Sequence, residues 1–164
     1  MNKTVLRGGI NKWIKKHCKE CVGLKVLEVG VGHNTLKNTL FKKCSVVSVD
    51  KVNSEWVDQV CNAKKLPFGN ECFDVVTCIG VLEHEYDFKS IVGEMKRVLK
   101  VNGVIFLTVP DMFPVHDSPD DFFRFTEFGV RRLFEPFVVL DVFKMGVGCF
   151  TLVGNYLIKK GEEE

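Results

Sequence analysis

The chain has 164 residues, 46% of them hydrophobic, and a formal net charge of +2. That apolar content is enough for the core of one domain, so residues 1–164 are read as a single unit. So small a net charge carries no strong nucleic-acid signal, and no apolar run approaches the roughly 18–20 residues that cross a bilayer. No apolar leader opens the chain, so the expected setting is cytoplasmic.

Lys3, Arg7, Lys12, Lys15, Lys16 and Lys19 crowd the first residues. Residues 1–20 are expected to form an N-terminal helix, with Ile10, Trp13, Ile14 and His17 on one face over 8–19. The lysines then read as a solvated face, or as a docking patch for an anionic partner. Cys18 and Cys21 form a Cys-x-x-Cys pair. Zinc needs about four ligands and no second pair stands at a suitable spacing, while a redox pair would follow a strand. They read as ordinary thiols. The seven cysteines are expected to be reduced, most of them in or beside apolar strands.

Val26 to Val29 is a short strand, apolar except for the acid Glu28, and runs into Gly30, Val31, Gly32, His33 and Asn34. Glycines spaced by one permit a sharp turn and let a ligand approach the backbone. Asn34 or Thr35 is expected to cap a helix carrying Leu36, Leu40 and Phe41, whose N-terminus would face that ligand. Ser45–Asp50 is a second strand, again ending in an acid; a short helix over 53–60 and a short strand over Val60–Asn62 follow.

Phe73–Ile79 is nearly continuous in apolar residues, as expected of a strand covered on both faces. A helix over 88–99 carries Ile91, Val92, Met95, Val98 and Leu99; Asn102-Gly103 turns the chain into the strand Val104–Val109. A helix over 126–135 is capped by Thr126. The strands Val138–Phe143 and Phe150–Ile158 are joined through Gly146-Val147-Gly148, short enough for a hairpin. The pattern predicts a doubly wound, mostly parallel α/β sheet with an antiparallel last strand.

Asp50 stands twenty-two residues after Glu28, at the end of the second strand. In a doubly wound sheet that position lines the ligand crevice, and a carboxylate there can accept both hydroxyls of a ribose. A dinucleotide loop wants Gly-x-Gly-x-x-Gly, but counting on from Gly30 and Gly32 reaches Thr35. An acid followed by Gly-x-Gly resembles instead the first motif of class I S-adenosylmethionine-dependent methyltransferases. Asn62-Ala63, Leu66-Pro67-Phe68, Phe73-Asp74 and Leu82-Glu83-His84 follow in order, then Glu94, Arg97 to Lys100 and Gly103. This series resembles the type 11 methyltransferase family over residues 25–109.

The resemblance implies a Rossmann-like, seven-stranded methyltransferase fold and S-adenosyl-L-methionine as cofactor, leaving S-adenosyl-L-homocysteine. It implies a cofactor site built from Glu28, Gly30, Val31, Gly32 and Asn34, from Asp50 and Lys51, from Asn62 and Ala63, and from Ile79 and Gly80. Glu28 would lie near the methionine end, and Asn62 near the adenine amino group.

Residues 110–126 are expected to lie on the acceptor side. His116-x-x-Pro119-x-Asp121-Phe122-x-Arg124-Phe125-Thr126 resembles a run found in a subset of the family. His116 is a candidate base, because imidazole takes a proton near neutral pH, or else a hydrogen-bonded spacer. Asp121 and Arg124 read as a local ion pair. His84 is a candidate for orienting the acceptor. The phenylalanines at 122, 123, 125, 128, 134 and 137 read mainly as core, some as an apolar acceptor wall or dimer surface. No metal-ligand set is apparent in the spacing. The acceptor is unidentified: a small metabolite, glycan, lipid or protein, in a crevice that a second subunit could complete. The alternatives are a catalytically silent binding or scaffold relative and a nicotinamide-dependent oxidoreductase.

Overall fold

The computed structural model describes residues 3–18, 21–32, 35–147 and 150–162; residues 3–5, 147 and 150–152 are described by their backbone alone. Helix α1 (Lys3–His17) precedes strand β1 (Lys25–Val29), which pairs in parallel with β2 (Ser45–Asp50) and with β4 (Phe73–Ile79). The two-residue strand β3 (Gln59–Val60) lies beside β2. Helix α2 (Phe88–Val98) leads into β5 (Leu99–Pro110), parallel to β4. After α3 (Glu127–Phe134), β6 (Val138–Val147) and β7 (Phe150–Lys159) form the antiparallel hairpin. The sheet order is β3-β2-β1-β4-β5-β7-β6, with β7 antiparallel to β5. The order reverses between β1 and β4, and that is where a doubly wound sheet opens its ligand crevice.

Two cores flank the sheet. Ile91, Val92 and Met95 of α2 and Phe134 of α3 pack on one face with Val76 and Leu107. Ile10, Trp13 and Ile14 of α1 pack on the other with Val26, Val46 and Phe106. The amphipathic spacing read from both helices is thus what covers the sheet. Asp141 on β6 fastens α1 by accepting from Trp13 Nε1 at 2.9 Å and contacting His17 Nε2 at 2.7 Å. Thr126 caps α3 as expected, its Oγ1 accepting from Gly129 N at 3.2 Å. No helix of the described residues is long and apolar enough to cross a membrane.

Four local expectations are corrected. No helix follows the glycine loop among residues 35–44. A single turn forms instead, with Leu36 O accepting from Thr39, Leu40 and Phe41 N. Leu36 and Phe41 are both buried to 1% exposure, and five positions apart they would lie about 140° apart around a regular helix. One tight turn buries both before β2 begins, so no helix dipole faces the loop. The segment 53–60 is likewise not helical. Its polar groups are tied elsewhere: Asp58 Oδ2 accepts from Ser48 N at 2.9 Å and Ser54 Oγ donates to Gly32 O at 3.1 Å. The third strand is Gln59–Val60, slightly earlier than expected, because it is set by pairing with Val49 and Asp50. Asn102-Gly103 lies inside β5 as a bulge, where pairing jumps from Phe73–Leu99 to Val75–Val104. Asn34, Lys19, Gly148 and Cys149 lie outside the described residues.

Candidate functional site

The glycine loop is anchored from behind and from the side. Glu28 is buried, and its carboxylate accepts from Thr35 Oγ1, from Leu36 N at 2.7 Å and from Ser48 Oγ at 2.9 Å. It ties the loop to β2. Gly30 has a positive φ of 71°, and a Cβ there would stand 2.4 Å from Val81 Cγ2, so both the turn and the close approach require glycine. Asp50 Oδ2 accepts from Gly32 N at 2.9 Å and Oδ1 accepts from Val52 N at 2.9 Å. Each oxygen keeps lone-pair capacity for a ligand.

A cavity of about 210 Å³ lies beside this anchor, lined by Gly30, Gly32, Asp50, Lys51, Asn62, Ala63, Gly80 and His84 among others. Seven of the residues expected for the cofactor, together with His84 expected for the acceptor, thus line one cavity. Asn62 Oδ1 accepts from Lys64 N at 2.9 Å, which fixes the side chain's orientation in the turn. A smaller recess continues from Gly30 past Glu28, Val31 and Ile79 to Arg7 of α1.

A second cavity, of about 740 Å³, is walled by α1, the ends of β4 and β5 and the loop after β5. It meets the first at Gly80 and His84, which line both. Leu6, Ile10, Val109, Pro110, Phe113 and Val153 give it apolar walls, with Arg7, Asn11, Glu83, His84 and His116 as polar groups. Three of those carry buried atoms without a hydrogen-bond partner: Arg7 Nε, Asn11 Oδ1 and Glu83 Oε2. Unpaired polar atoms at such depth cost roughly 1–3 kcal/mol each, and a polar ligand repays it. Burial lowers the Arg7 pKa, with Glu28 opposing that shift. Burial pushes the Glu83 carboxyl up to about 7, against the lowering influence of its own backbone N–H, His84 and Arg124.

The two histidines face Glu83 in the same way. His84 Nδ1 lies 2.5 Å from Asp120 O, and His116 Nδ1 lies 3.2 Å from both Pro114 O and Asp121 Oδ2. Carbonyls and an ionised carboxylate only accept, so both Nδ1 atoms carry hydrogen, and in the neutral ring Nε2 is the lone-pair atom. His84 Nε2 stands 4.0 Å and His116 Nε2 3.9 Å from Glu83 Oε1. Asp121 is held ionised: Arg124 donates to it at 2.6 and 2.7 Å, keeping its pKa far below the usual carboxylate range. The Asp121–Arg124 pair expected from the sequence therefore shapes the loop and also orients His116. Of the phenylalanines, Phe125 and Phe134 are core, Phe123 packs edge-on against Phe88, and Phe122 and Phe128 are exposed.

Arg7, Asn11 and Glu83 were not among the sequence candidates. Arg7 and Asn11 are one helical turn apart on the side of α1 that carries Ile10 and Ile14, a polar interruption of an apolar face that the sequence does display. Glu83 stood inside a quoted motif without an assigned role. Cys18 and Cys21 are half-buried, free thiols, and burial raises the Cys18 pKa, as suits unreactive cysteine.

The methyltransferase domain family, type 11, matches residues 7–107. The ubiquinone biosynthesis O-methyltransferase of Pasteurella multocida is 30% identical over 122 residues, covering 58% of this chain and 50% of that protein. A probable S-adenosylmethionine-dependent methyltransferase of Mycolicibacterium smegmatis is 27% identical over 146 residues, covering 76% and 57%. The chain thus spans about half the length of the curated relatives it matches. Among solved structures, the PH0226 protein of Pyrococcus horikoshii superimposes with a TM-score of 0.76 at 20% identity, covering 97% of this chain and 92% of that one. The 1,6-didemethyltoxoflavin-N1-methyltransferase of Burkholderia thailandensis, with bound S-adenosylhomocysteine, gives 0.73 at 18% identity, covering 94% and 77%. The residues present suit that cofactor: a positive-φ turn at Gly30 on the cavity wall, a carboxylate at the end of β2 and an orphaned buried guanidinium nitrogen on Arg7. The chain belongs to the type 11 family of S-adenosylmethionine-dependent methyltransferases.

Proposed function

We propose that this chain transfers a methyl group from S-adenosylmethionine to an oxygen nucleophile on a largely apolar, ring-bearing acceptor. The observation that carries the reading is the junction of the two cavities at Gly80 and His84. When bound, the cofactor supplies a sulfonium-activated methyl carbon that an in-line nucleophile can take. Asp50 would hold the ribose hydroxyls, Lys51, Asn62 and Ala63 the base, and Gly30, Val31 and Gly32 the backbone-facing side. Arg7 would meet the cofactor's carboxylate, with Glu28 bracing the loop. Ile79 and Gly80 would line the passage to the acceptor.

His116 is the proposed proton acceptor. Its Nδ1–H is held by Pro114 O and by the ionised Asp121, which favours the charge the ring gains on taking a proton at Nε2. His84, oriented by Asp120 O, would position the acceptor hydroxyl. Phe113 packs edge-on to His116 with ring centroids 5.1 Å apart and extends an apolar wall for the acceptor body. Four curated relatives are named O-methyltransferases, which supports an oxygen acceptor, while two others, matching over a shorter stretch, are named C-methyltransferases. Six free thiols among the described residues support a reducing, cytoplasmic setting.

The test is methyl transfer from labelled cofactor to matched phenols, anilines and thiophenols. Transfer to phenols is expected. Transfer to anilines alone would overturn the oxygen assignment, and none to any acceptor, with cofactor still bound, would favour the silent-relative reading.

A further inference from the structure

Glu83, His84 and His116 present a carboxylate oxygen and two imidazole nitrogens that all lie within 4.8 Å of one another. All three point lone pairs at a common space. The two Nδ1–H groups are spent on Asp120 O, Pro114 O and Asp121, so neither ring offers a hydrogen at Nε2 while neutral. Glu83 Oε2 has no partner at all, in a residue only 2% exposed. The cluster is stable only with something positive among these atoms, either a proton on Glu83 or an imidazole, or a bound cation.

We propose that these three side chains form a binding site for a divalent transition-metal ion of the zinc type, at the mouth of the acceptor cavity. Two imidazoles and one carboxylate are the donor set such ions take, with positions left open for water or an acceptor oxygen. The surroundings fit that class. Each Nδ1–H is fixed by an outer oxygen, a carbonyl for His84 and a carbonyl with the Arg124-paired Asp121 for His116, which sets the ring and its tautomer for ligation at Nε2. Ligand nitrogens stand about 2 Å from zinc, so the donors must close by about 1 Å. Both imidazoles are partly exposed, at 23% and 19%, and have room to do so.

The site is the one to which the methyl-transfer reading assigns the acceptor, and the inference shares that location. An ion occupies the same His116 lone pair that takes a proton, so ion loading and proton transfer through His116 exclude each other. Zinc is therefore expected to inhibit turnover in competition with the acceptor and to leave cofactor binding intact.

The test is titration of chelator-treated protein with cobalt(II), read by its visible ligand-field bands, beside calorimetry with zinc(II). One equivalent with a saturable band is expected, lost in His84→Ala, in His116→Ala and in Glu83→Gln. Asp121→Asn, which loosens an outer partner, is expected to weaken binding by about tenfold. Titration with S-adenosylhomocysteine and a thermal melt of each variant separate loss of the site from loss of fold. Absence of a saturable band, or a band unchanged in all three ligand variants, overturns the metal site. If S-adenosylhomocysteine still binds, that result leaves the methyltransferase reading standing.

Discussion

Asp50 Oδ2 accepts the backbone N–H of Gly32 at 2.9 Å, so the carboxylate proposed for the ribose is also the clasp that closes the glycine loop. One side chain serves the loop's shape and the ligand's recognition, and its removal acts on both. Asp50→Ala is expected to weaken S-adenosylhomocysteine binding by about 100-fold, near 3 kcal/mol for lost charge-assisted hydrogen bonds. Calorimetry on folded variant protein checks it, with Asp50→Asn expected to recover part of the loss.

Arg7 brings a buried guanidinium nitrogen without a partner to the recess beside Glu28. If it serves the cofactor's carboxylate, Arg7→Met should weaken S-adenosylhomocysteine by about tenfold or more, the order of one charge-assisted hydrogen bond. Methylthioadenosine, which lacks that carboxylate, should bind wild type and variant alike. Equal losses for both ligands would assign Arg7 to packing.

His116→Gln keeps a polar side chain and removes the basic nitrogen. The turnover number should fall by about 10²–10⁴-fold with little change in the KM for cofactor, the signature of a lost proton acceptor. A rise in the acceptor's KM at unchanged turnover would make His116 a spacer.

Much of the fold was legible because its signals are local. The strand ends at Val29 and Asp50, the apolar run 73–79 and the Thr126 cap all lie within a few residues of what they specify. The missing helix after Gly32 was not legible. Its sequence admits a helix, but burial of both Leu36 and Phe41 decides for a single turn. The pocket proposed for the cofactor follows from strand order, since residues at successive strand ends converge once the sheet is doubly wound. Asn62, expected near the adenine amino group, uses its side-chain oxygen to close a turn onto Lys64 N. The Glu83–His84–His116 cluster joins the turn after β4 to the loop after β5, and no spacing in the sequence announces that contact.

Asp141 holds α1 to β6 through Trp13 and His17, and those hydrogen bonds keep its carboxyl below the ordinary pKa. The folded-state value is the lower one, so its stabilisation is present above the unfolded pKa and fades as pH falls through the folded value. Asp141→Asn should therefore cost about 1 kcal/mol at neutral pH, as expected for a partly exposed charged hydrogen bond. The difference from wild type should shrink towards strongly acid pH. Urea unfolding at several pH values measures it; a gap that widens on acidification would contradict the assignment.

The proposed methyl transfer requires an adenosine-bearing ligand to bind between Gly30 and Asp50. Calorimetric titration of the intact chain with S-adenosylhomocysteine is the most direct measurement. A saturable one-site isotherm, accompanied by a raised melting temperature, is the expected result. A folded protein that shows neither heat nor thermal shift with this ligand, and instead responds to a nicotinamide cofactor, would contradict it.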